Sequence, residues 1–224
     1  MRAIARRIRN DQSGLSMTEL LVASMLTLLM LVMVGNMFIS VGKITSASNQ
    51  TRNSNDVAAN IANEVSAVIR VSTDLYKSNG SVDFAVVEGN RSKLTVYTLS
   101  NTSASSPAPF KVTFELAGTP GVVTEVRCPG TQSGAVWTFS TTCEKRTLGV
   151  GVLTPDSTTN QLFTYYDASG AEIVIGTTSL LEADRDRVAS IRVTVRAQAV
   201  KSSSAPITVT NTVVLRNLGL DTTA

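Results

Sequence analysis

The chain has 224 residues, room for one ordinary domain and an anchor, and its balance of 43% hydrophobic and 17% charged side chains excludes a disordered protein. The formal charge is +3, but Arg2, Arg6, Arg7 and Arg9 stand in residues 1–14 beside the single acid Asp11, leaving 16 charges of each sign in the rest. That neutral remainder gives no support for a polyanion partner, and with no histidine in the chain, catalysis or metal binding through imidazole is excluded.

After the arginines comes a stretch from Leu20 to Gly42 without a charge, 23 positions long. As a helix it would measure about 35 Å, against a hydrocarbon core of about 30 Å. The positive-inside rule places residues 1–14 in the cytoplasm and the bulk of the chain outside. A secretory signal would have a shorter apolar run, and the small-residue triplet Ser46–Ser48 lies too far downstream to serve as its cleavage site. An uncleaved single-pass anchor explains the length and the arginines. It does not explain Glu19, because a carboxylate inside hydrocarbon costs on the order of 2.5–3.5 kcal/mol.

The segment GLSMTELLVASML, Gly14 to Leu26, resembles the type IV prepilin signal of type IV pilins and the pseudopilins of type II secretion and DNA-uptake systems. In that family a basic leader ends in glycine, the mature chain starts with an apolar residue, and its fifth residue is glutamate. Gly14, Leu15 and Glu19 fall on those positions. The resemblance implies a cytoplasmic leader, residues 1–14, that prepilin peptidase removes, followed by methylation of the new N-terminus at Leu15. It implies a transmembrane and assembly helix over 15–42, in which Glu19 offsets the terminal amine of a neighbouring subunit. The implied partners are that peptidase, other pilin or pseudopilin subunits, the inner-membrane assembly platform and the membrane itself. Phe is the usual first mature residue where this chain has Leu15, and no proline precedes Pro107, which points away from a major pilin. Gly35 with Asn36 is expected to loosen the helix, since Gly costs about 1 kcal/mol relative to Ala.

Beyond Gly42, Val57, Ile61, Val65 and Val68 recur at helical spacing and predict a buried face. The Ser, Thr and Asn residues from Thr45 to Asn55 predict a fray or bend near 48–55, with Asp56 as the N-cap of a restarted helix. The family resemblance implies one helix from about Ser16 to Thr73, with residues 43–75 as its extracytoplasmic continuation, stopped by the turn at Ser78–Gly80.

Residues 80–224 read as a β-rich extracytoplasmic domain. Alternation predicts strands starting at Val82, Lys93, Phe110, Val122, Ala135, Gln161, Glu172, Ser190 and Ile207. A loop is predicted over Ser100–Pro109, and a hairpin turn at Asp167 and Gly170. Ile191, Val193 and Val195 fall on one face of a strand and Arg192, Thr194 and Arg196 on the other, the pattern of an antiparallel sheet with one wet face. The fold class expected is therefore α+β. The packing of a long N-terminal helix on that sheet, in the pilin manner, is what the resemblance implies. The long helix and the segment LLEADRDRVASIRVTVRAQAV look most like minor pilins of the PilW/PulJ type.

Cys128 and Cys143 are too far apart for a redox or zinc pair, so outside the cytoplasm they read as a disulfide, with two separate buried thiols as the alternative. Without histidine, S-x-x-K or G-x-S-x-G, no catalytic residue is assigned. Some pseudopilins bind calcium, but in Glu182, Asp184 and Asp186 the acids alternate with Arg185 and Arg187, so no metal site or cofactor is expected. Arg192 and Arg196 are the candidate contact for a polyanion such as DNA, within a cluster that includes Arg185 and Arg187. Trp137 is expected in the core.

Overall fold

The structure is a computed structural model, which describes residues 16–76, 81–99, 108–134, 136–155, 161–175, 179–198 and 205–215. The chain forms two compact units, one up to Ser48 and one from Asn49 onward. The expected turn at Ser78–Gly80 and most of the Ser100–Pro109 loop lie outside the described residues.

One helix, α1 (Met17–Arg70), runs without interruption. The predicted break near 48–55 is absent, and Asp56 lies inside the helix rather than capping a new one. The physical reason is tertiary: Ala58, Ile61, Ala62 and Val65 just beyond are buried in the core, and packing of that face overrides the weak propensity of the segment before it, in which the buried Ser54 hydroxyl donates to the Gln50 carbonyl at 3.0 Å. Gly35 likewise sits in the helix without breaking it. The C-terminus comes earlier than Thr73. The Ser72 hydroxyl caps the Ile69 carbonyl at 2.6 Å, and the Thr73 N–H donates to Tyr97 O in the sheet, so Ser72 and Thr73 already belong to strand pairing.

The second unit is built on antiparallel strands. A two-stranded pair joins β1 (Leu75–Tyr76) to β2 (Val82–Asp83). The main sheet contains β3 (Val86–Gly89), β4 (Lys93–Thr98), β5 (Phe110–Ala117), β6 (Gly121–Ser133), β7 (Val136–Phe139), β8 (Glu144–Val152), β9 (Phe163–Tyr166), β10 (Glu172–Ile173), β11 (Ser190–Ala197) and β12 (Ile207–Val214). Their order is β10-β9-β11-β8-β6-β5-β4-β3, with β7 attached to β6 and β12 to β11. A short helix, α2 (Glu182–Arg185), precedes β11. The α+β class is thus what the chain adopts.

The core lies between α1 and the inner sheet face. Ile61, Val65, Val68 and Ile69 are buried against Leu94, Val96, Val112, Phe114, Val123, Ile191, Val193 and Val195, so the helical stripe and the apolar parity of β11 both meet where their periods predict. Gly149 makes this docking close, because a Cβ there would stand 2.7 Å from the Ile61 Cδ1 and 2.8 Å from the Val57 Cγ1. The predicted hairpin turn also forms. Asp167 Oδ1 accepts from the N–H groups of Ser169 and Ala171 and from the Ser169 hydroxyl, and Gly170 takes φ +83. The Ser169 hydroxyl, first, and then the Ala171 N–H hold the Asp167 carboxyl below its usual range.

Trp137 is not in the core. It is half-buried on β7, which among the described residues pairs only with the far end of β6, where that strand has run past the rest of the sheet.

Candidate functional site: the head of the apolar helix and its supporting domain

Every described residue from Ser16 to Asn53 is exposed, including Leu20, Leu21, Leu26, Leu28, Leu31 and Phe38. A continuous apolar surface of this extent is not stable facing water and marks a membrane or protein contact. By length and composition α1 can cross a bilayer. Its hydroxyls are compatible with that setting, since Ser24 donates to the Leu21 carbonyl at 2.9 Å and Thr27 to the Ala23 carbonyl at 2.7 Å. Neither needs water.

At the head of α1, the Ser16 N–H donates to Glu19 Oε2 at 3.1 Å, while the Ser16 and Thr18 hydroxyls lie 2.7 Å apart. Ser16-Met17-Thr18-Glu19 is the S-x-x-E spacing of a capping box, of which the glutamate half is made. The S-x-x-E spacing is the sequence signal for this bond, and it gives Glu19 a local partner in addition to the neighbouring subunit that the resemblance implies. The carboxylate also lies near the positive end of the helix dipole. Gly14 and Leu15 lie outside the described residues.

Cys128 and Cys143 are joined in a disulfide, with Cα atoms 4.4 Å apart. The register explains the pairing: Arg127 on β6 stands opposite Glu144 on β8, so the next residues out along the two strands meet where β6 leaves β8. The bond therefore closes the base of the β6–β7 arm. Replacing both cysteines by serine is expected to destabilise the second unit by about 3 kcal/mol, the chain-entropy value for a loop of roughly 15 residues. Chemical denaturation of the full chain in detergent, followed by tryptophan fluorescence, measures it.

The arginines are divided among separate partners. Arg187 pairs with Asp184 at 3.1 Å and Asp167 at 3.5 Å. The Arg192 guanidinium carbon lies 4.7 Å from the Tyr166 ring centroid, a cation–π contact on the exposed face of β11. Arg196 is half-buried on the same face, and its carbonyl accepts from Leu153. Among the described residues no group of three or more His, Cys, Asp or Glu is disposed to hold a metal ion, and Asp184 is already engaged with Arg187.

One polar group escaped the sequence reading. Glu125 is fully buried on the inner face of β6, accepting from Arg127 Nε at 2.6 Å and from Arg146 Nε on β8. Arg146 also reaches Glu64 of α1 at 2.9 Å, so the cluster ties helix, β6 and β8 together. The hydrogen bond to Glu125, first, holds the Arg146 guanidinium above its ordinary range. The signal lay in strand parity: Val123, Glu125 and Arg127 share a face, so a strand burying Val123 must also bury Glu125.

No family model matches the chain, and no curated protein matches it either.

Proposed function

We propose that the chain is a minor pilin or pseudopilin, a structural subunit that helps to initiate or cap a type IV pilus or a type II secretion-like filament. The observation that carries this reading is an exposed apolar segment of α1, charge-free from Leu20 to Gly42, with a carboxylate at its head, four residues after Leu15 and five after Gly14. On this reading prepilin peptidase cuts between Gly14 and Leu15 and the Leu15 amine is methylated. The subunit waits in the cytoplasmic membrane with its N-terminus inside and its β-rich unit outside, and the assembly platform then passes it into a filament. There Glu19 offsets the terminal ammonium of a neighbouring subunit. Opposite charges that meet in low dielectric attract strongly, while either one left alone is costly, so the pair sets the register of packing.

A second reading has its own support. The Ser16–Glu19 hydrogen bond gives the carboxylate a purely local task, as expected of an uncleaved single-pass protein with an extracytoplasmic β binding domain. The two part at the N-terminus. Protein taken from its native membrane is expected to begin at Leu15 with one added methyl group, by intact mass, and to keep its leader when prepilin peptidase is deleted. A leader retained in both strains overturns the pilin reading.

A further inference from the structure

From Thr131 to Cys143 no described residue is buried, so the β6–β7 arm gives nothing to the core. Among the described residues β7 pairs with no strand but β6. Other strands differ: β5 sets Val112, Phe114 and Leu116 into the core, and β11 sets Ile191, Val193 and Val195 there. Opening free energies within one fold follow such differences, from almost nothing in loosely held segments up to the global value in core strands.

The arm is nonetheless held against the sheet. Its Gly130 N–H donates to the Pro109 carbonyl at 2.8 Å, just ahead of β5. The Phe139 ring stacks on that of Tyr97, with centroids 5.0 Å apart and planes 14° from parallel. Tyr97 pairs with Lys111 and Lys111 with Cys128, so the arm has folded back from β6 across β5 to reach β4. It does so on the outer face, since Val96 beside Tyr97 points into the core. Gly130 permits the close approach, because a Cβ there would stand 2.7 Å from the Pro109 carbonyl oxygen and 3.1 Å from Phe139 Cε1. At the base, Cys128 and Cys143 are both partly exposed, so a thiolate can reach their sulfurs. One stacked pair and one hydrogen bond contribute little beside the entropy of closing a loop of roughly 15 residues.

We infer that the disulfide is a redox latch on the arm: while it is intact Phe139 covers the Tyr97 ring, and once it is reduced the arm lifts away and leaves the sheet folded. The reductant is a dithiol. One of its thiolates attacks a sulfur of the Cys128–Cys143 bond, which breaks as a mixed disulfide forms. Its second thiolate then attacks that mixed disulfide. The dithiol ends oxidised to a disulfide, and Cys128 and Cys143 end as thiols carrying the two protons. Lifting exposes the Tyr97 and Phe139 rings beside the half-buried Trp137, an aromatic surface that the oxidised chain keeps folded against itself. The inference rests on the sheet and is independent of the function proposed above.

The test compares the full chain in detergent before and after dithiothreitol, with the new thiols blocked by iodoacetamide. Blocking at both Cys128 and Cys143 is expected by mass. In a short hydrogen-exchange pulse the amides of Thr131 to Phe139 are expected to exchange about a hundredfold faster than in the oxidised chain, the factor that the entropy of such a loop implies. Those of β5 and β11 are expected to stay protected in the same pulse. Tyr97 is expected to become open to nitration by tetranitromethane, while the fully buried Tyr165 is not. Cys128→Ser combined with Cys143→Ser is expected to give the same open arm with no reagent on sulfur. The proposal is overturned if dithiothreitol leaves the bond of the folded chain intact, or if the arm keeps its protection once the bond is broken. Loss of protection in β5 and β11 within the same pulse also overturns it, because the bond would then be a staple of the whole unit.

Discussion

Replacing Glu125 by alanine is expected to destabilise the second unit by about 3 kcal/mol, at the low end of the range for breaking a buried ion pair. The low end applies because the groups left behind can find water, Arg127 being 31% and Arg146 44% exposed at their side chains. The converse change is the more severe. With Arg127 and Arg146 both replaced by alanine, the carboxylate of Glu125, which has no exposure, loses both guanidinium partners, and about 5 kcal/mol is expected. The exposed Glu64–Arg146 pair, lost only when Arg146 is replaced, adds at most about 1 kcal/mol to the second figure. Urea denaturation of the full chain in detergent, read by near-ultraviolet circular dichroism, orders the variants. Equal losses, or a greater loss for Glu125→Ala, would show that the cluster is already hydrated and that its burial contributes little.

Ile61→Ala carries the second large effect, an expected loss of about 2–5 kcal/mol, the range for truncating a fully buried isoleucine. Its position within that range depends on how far Gly149 and Val57 close over the space. Because a Cβ on Gly149 would fall 2.7 Å from the Ile61 Cδ1, Gly149→Ala is expected to destabilise the wild-type chain by crowding. In the Ile61→Ala background the same methyl enters the vacated space. The two changes should therefore combine to less than their sum, with a coupling of about 0.5–3 kcal/mol. Strict additivity in a double-mutant cycle would mean that α1 does not seat on β8 through this pair.

Parts of the molecule were legible from local pattern. The stripe Val57, Ile61, Val65 and Val68 faces the core because a helical period of 3.6 brings those positions to one side whatever lies opposite. The parity of β11 and the Asp167 turn are similarly short-range, and each is found where it was expected. The break in α1 was misread because propensity counts Ser and Asn as weak helix formers, while the hydroxyl of Ser54 bonds within the helix and the residues beyond it are pinned in the core. Strand β8 was missed for a related reason. It begins Glu144-Lys145-Arg146 and contains Gly149 and Gly151, so it shows no alternation and is held by its ladder to β6.

What the sequence determined by itself is therefore what neighbours in the chain impose on one another: an apolar helix with arginines before it and Glu19 at its head, a helical stripe, and strands with one dry face. What only the tertiary structure decided is what depends on register between distant segments. The step from Arg127↔Glu144 to a disulfide, the seat of Trp137 on an arm that outruns the sheet, and the burial of Glu125 between two arginines all follow from how β6 aligns with its partners. Shifting a strand by one residue would turn Glu125 to the wet face and Thr124 to the core, and the local composition of β6 does not contain the energy difference between the two. That difference comes from Phe114, Arg146 and α1, which meet β6 only once the chain has folded.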